Sequence, residues 1–63
     1  MNSYIDAQCR FMLTSVDTFV TACELAAKKD DGKISREEER ILHAIRKASE
    51  KYKSKISKII GEP

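Results

Sequence analysis

Between residues 3 and 29 the charged side chains Asp6, Arg10, Asp17, Glu24 and Lys28 fall on one narrow stripe of a helical wheel. Nearly everything else there is apolar or small. The apolar arc that remains spans about 200°, whereas a helix packed on one neighbour needs roughly 100° or a little more. A single partner helix cannot cover such a segment. Its surplus surface must meet a second copy of the chain or a dedicated partner.

The chain has 63 residues, enough for one domain, taken as residues 1–63. Chains of this size bury little surface and rely on disulfides, metal or oligomerisation. Cys9 and Cys23 are the only cysteines. Both fall on the first helix, about 21 Å apart at helical rise, too far for an intrachain disulfide. No metal or cofactor motif is present, so oligomerisation is the expected device. This cysteine usage predicts a reducing, cytoplasmic setting, as does an N-terminus without a basic segment and long apolar run. The longest strongly apolar stretch is Phe11-Met12-Leu13, so neither a membrane span nor a membrane partner is expected.

One internal break is visible, at Asp30-Asp31-Gly32. Glycine accepts the positive φ that closes a helix. Ser35 and Glu38 then fit a capping box, and Gly61 and Pro63 supply the closing stop signal. The expected order is helix 1 over about 3–29, a turn over 30–34 and helix 2 over about 36–60. The fold class is all-α: an antiparallel two-helix hairpin that dimerises into a four-helix bundle. A strict heptad seam on helix 1 runs Ile5, Cys9, Met12, Val16, Phe19, Cys23 and Ala26. Its expected counterpart on helix 2 is Ile41, Ile45, Ala48, Tyr52, Ile56 and Ile59.

Helix 1 has apolar residues to spare on both sides of this seam. Leu13, Val20 and Ala27 widen it on one side, and Tyr4, Phe11, Ala22 and Leu25 add a strip on the other. An exposed patch of this kind marks an interaction surface. The expected function is a small helical protein–protein interaction module, an adaptor, co-chaperone or regulator acting through this face, with Tyr4, Phe11, Leu13, Val20 and Leu25 as the candidate partner-binding residues toward a second copy or a helical protein partner. If two copies of helix 1 cross antiparallel near Val16, Cys9 of one chain lies near Cys23 of the other.

Helix 2 carries an uneven charge. Between Arg46 and Ile60 there are six basic residues and one acid, Glu50. Arg40, Lys47, Lys51 and Lys58 form a row beside the apolar face, with Lys55 close by. Such a row could track phosphates, which makes a dimeric nucleic-acid-binding regulator the alternative function. The architecture would then be similar to that of the short hairpin regulators of plasmid copy number. The plainer reading is a solvated face with lysines favouring the helix C-terminus. Lysine in place of arginine, with no interleaved aromatics, argues against base-specific recognition.

The segment from Asp30 to Glu38 resembles the second half of an EF-hand calcium loop. Gly32 stands at the sharp turn, Ile34 at the short β contact and Glu38 at the bidentate position. Ala27 and Lys29 occupy the first two ligand positions, so only Asp31 and Glu38 could bind. A degenerate EF-hand-like protein is a further alternative. Glu24-Leu25-Ala26-Ala27-Lys28, Gly32, Ile34 and Glu37-Glu38 also resemble the hairpin of the small bacterial YnzC family. That likeness covers about fifteen residues and implies a helical hairpin but no activity. His43 is the only histidine and falls on the polar side of helix 2, away from both cysteines. No nucleophile–base pair is apparent, and an enzyme is not expected.

Overall fold

A computed structural model of the chain describes residues 2–29 and 31–61. Asp30 of the expected turn and Pro63 of the expected stop lie outside the described residues. Two helices form, α1 over Ser3–Lys28 and α2 over Arg36–Ile59. Their ends are set by the local chemistry that the sequence advertises. The Asn2 side chain accepts the Ile5 N–H at 2.9 Å and caps α1. Beyond α1, Gly32 takes φ +75° and donates its N–H to the Lys28 carbonyl at 2.9 Å. The Asp31 carboxylate then accepts the Lys33 N–H at 2.9 Å. Ser35 and Glu38 complete the capping box: Ser35 Oγ accepts the Glu38 N–H at 3.1 Å, and Glu38 Oε1 accepts the Ser35 N–H at 2.9 Å. Gly61, at φ +78°, closes α2 and donates to the Lys58 carbonyl.

The helices pack antiparallel into a slab of 46 × 16 × 12 Å. Lys53 meets Asp17 at 2.6 Å, and Arg46 meets Glu24 at 2.8 Å and Glu39 at 3.3 Å. The seam differs from the expected heptad. On α1 the half-buried residues include Cys9, Leu13, Val16, Val20, Cys23 and Ala27; on α2 Leu42 is buried and Ile45, Ser49 and Ile56 are half-buried, as is Ile60 at its C-cap. Ile5, Met12, Phe19 and Ala26 are exposed, as are Ile41, Ala48, Tyr52 and Ile59. Four of the seven residues of the expected α1 seam are therefore replaced by the neighbouring stripe. The physical reason lies in the charges flanking the seam. Turning Leu13 and Val20 inward carries Asp17 and Glu24 to the edge where Lys53 and Arg46 wait.

Little is enclosed by this packing. Leu42, at 3% exposure, is the one buried residue among the described residues. The accessible surface is 5197 Å², against about 4,100 Å² for a compact monomer of this mass. An unfolded chain of the same mass exposes about 10,400 Å², so folding removes about half of it. A typical 60-residue domain removes roughly 60%.

Candidate functional site

The rotated seam leaves the hairpin with two unlike sides. On one side Asp17, Glu24, Arg46 and Lys53 bridge the helices, beside Thr21 and Glu50. Hydrogen bonds from Arg46 to the Glu24 and Glu39 carboxylates raise the Arg46 pKa above its ordinary value. On the other side the displaced residues of both helices form one apolar face. A groove of about 370 Å³ runs along it between Met12, Val16 and Phe19 on α1 and Ala48, Ser49 and Tyr52 on α2. A second groove, of about 330 Å³, lies nearer the turn between Cys23, Ala26 and Ala27 and Ile41, Leu42 and Ile45. Ile5 and Ile59 are exposed near the open end.

The face wraps around the outer edge of α1. Tyr4 is 84% exposed, Phe11 68% and Leu25 65%. These three of the expected partner-binding residues are thus free to meet another molecule. Leu13 and Val20, named with them, sit half-buried on the stripe that meets α2. Two hydroxyls of this edge are bonded within the helix: Ser15 Oγ donates to the Phe11 carbonyl at 3.0 Å and Thr18 Oγ1 to the Thr14 carbonyl at 3.2 Å, while the Gln8 amide, one turn from Tyr4 and Phe11, is exposed. Hydroxyls bonded within the helix can be covered without leaving an unpaired donor. Met12, Phe19, Ile41 and Tyr52 were assigned to the intramolecular seam by their spacing, and the structure places them on the open face. The signal that could have found them is the charge match of Asp17 with Lys53 and of Glu24 with Arg46.

Cys9 and Cys23 are free thiols, half-buried on the stripe that meets α2. Cys23 also lines the groove nearer the turn, on the face open to a second copy. Arg40, Lys47, Lys51, Lys55 and Lys58 are all exposed. They form no ion pair among the described residues, unlike Arg46 and Lys53. In the turn, Asp31 and Glu38 each accept a backbone N–H, and no cluster of three His, Cys, Asp or Glu able to hold a metal occurs among the described residues. His43 lines a shallow groove with Ile34, Ser35, Arg36, Glu39 and Arg40. No helix among the described residues is long and apolar enough to cross a membrane. Comparison with known protein families, curated proteins and solved structures returned no match.

Proposed function

We propose that this chain is a small helical protein–protein interaction module, without catalytic activity, whose apolar face closes on a second copy to give a four-helix bundle. The observation that carries this reading is the apolar face across α1 and α2, set against a single buried side chain among the described residues. Such a hairpin gains its core by association. A stable interface buries about 800 Å² per partner, which is of the same order as the surface this chain holds in excess of a compact monomer.

Two antiparallel arrangements bring the faces together. With the turns side by side, the cationic row of α2 lies over Tyr4, Phe11 and Leu25 of the other copy. End over end, α1 packs on α1 and α2 on α2. The second arrangement joins the two aromatic and aliphatic edges, with Met12 near Phe19 of the second copy and Ile5 near its Ala26. Side by side, lysine stems cover that edge only in part; end over end, apolar side chains meet it, and burying a Leu or Phe side chain contributes up to about 1.5–3 kcal/mol. The opposing term is the approach of two lysine rows. Unit charges about 10 Å apart in water repel by about 0.4 kcal/mol, and a Debye length of about 8 Å damps this further. Burial wins, and the end-over-end bundle follows.

Sedimentation equilibrium tests the association. A dimer mass is expected, whereas a well-folded monomer at high micromolar concentration overturns the reading. A poorly folded monomer would instead assign the face to a heterologous helical partner. Spin labels on Lys33→Cys, in a Cys9→Ala, Cys23→Ala background, test the arrangement. End over end separates the two turns by nearly the 46 Å length of the slab, whereas side-by-side turns bring the labels close together.

A further inference from the structure

Resting on that self-association, we propose that the dimer carries a binding strip for the phosphate backbone of duplex nucleic acid, assembled from the cationic rows of both copies. The cations of α2 divide by position. Arg46 and Lys53, on the side facing α1, are held by Glu24, Glu39 and Asp17. Arg40, Lys47, Lys51, Lys55 and Lys58, on the outer edge, are exposed and unpaired among the described residues. From Arg40 to Lys58 the row is about 27 Å long at helical rise. The acids Asp17 and Glu24 of α1 lie on the side where Lys53 and Arg46 bridge the helices; on α2 the exposed Glu50 shares a shallow groove with Lys47 and Lys51 and offsets one charge of the row.

Packing α2 beside α2 end over end sets Arg40 of one copy near Lys58 of the other. The two rows then merge into one strip, which a single chain cannot supply. Its charges are point charges on flexible stems, four lysines to one arginine, suited to phosphate attraction without bidentate readout. The row has no aromatic side chain within it on which unpaired bases could stack. The strip therefore fits the backbone of a duplex and reads no sequence.

Fluorescence anisotropy with a labelled duplex DNA of about 20 base pairs, long enough to span both rows, tests the proposal over a range of salt concentrations. The wild-type dimer should bind, with log K falling linearly as log salt rises. Lys47→Gln with Lys51→Gln should keep the dimer mass and weaken binding at least tenfold. Phe11→Gln with Leu25→Gln, which dissociates the dimer but keeps every cation, should show about half the wild-type salt slope. A dimer that ignores the duplex, or binds it equally well after the lysine changes, overturns the strip. A monomeric variant with the full wild-type slope overturns its composite nature. Tighter binding to polyglutamate than to the duplex at equal salt assigns the strip to acidic polypeptides and overturns the nucleic-acid assignment. A wild-type chain that sediments as a monomer removes the association beneath it, which is a separate failure.

Discussion

Replacing Phe11 with lysine separates the seam inside the hairpin from the contact proposed between copies. Phe11 is 68% exposed and lies on the outer edge of α1, away from the stripe that meets α2. Within one hairpin the change is a surface substitution, expected to stay within about 0.5 kcal/mol. In a symmetric dimer the same residue occurs twice. Losing the burial of two phenylalanines removes about 3–6 kcal/mol, before any cost of placing two lysines in an apolar contact. That corresponds to a dissociation constant raised by roughly 10²–10⁴-fold. Because so little is buried in one chain, dissociation should also reduce helicity, and the melting temperature of the wild type should rise with protein concentration. The assay is sedimentation equilibrium and circular dichroism across a hundredfold concentration series for both proteins. An unchanged dissociation constant would refute the argument. So would a wild-type melting temperature independent of concentration.

Three further outcomes follow from the geometry. Leu42→Ala empties the one enclosed position and should cost about 2–3 kcal/mol, read as a lower midpoint in urea; an unchanged midpoint would show that Leu42 is not the centre of the seam. Gly32→Ala keeps open space around the added methyl group but strains a φ of +75°, so thermal melting should show a loss of about 1–2 kcal/mol. Millimolar calcium should leave the melting temperature unchanged, because Ala27 and Lys29 stand at the first two ligand positions and only Asp31 and Glu38 could bind; a rise would return the turn to the EF-hand reading.

The helices were legible because their ends are coded within a few residues. Asp31-Gly32 and the Ser35–Glu38 box act over one turn of chain, and the structure shows each where the sequence put it. The seam was harder to read for a reason specific to α1. Its apolar arc is so wide that the stripe through Met12 and Phe19 and the stripe through Leu13 and Val20 serve equally well on hydrophobicity. What separates them is the reach of Asp17 to Lys53 and of Glu24 to Arg46, pairs distant in sequence and invisible to a heptad count. The candidate face was legible in part. Tyr4, Phe11 and Leu25 stood out as surplus, but the α2 half of the face was hidden by its assignment to the seam.

Leu42, alone among the described residues in being closed off from water, also bears on how long such a molecule lasts. A backbone held by one enclosed side chain opens often, and each opening offers peptide bonds to proteases. Scarce copies would be cleared quickly, while abundant ones would shelter each other. Turnover would then respond to expression level more steeply than in proportion, giving the cell a threshold in place of a gradient.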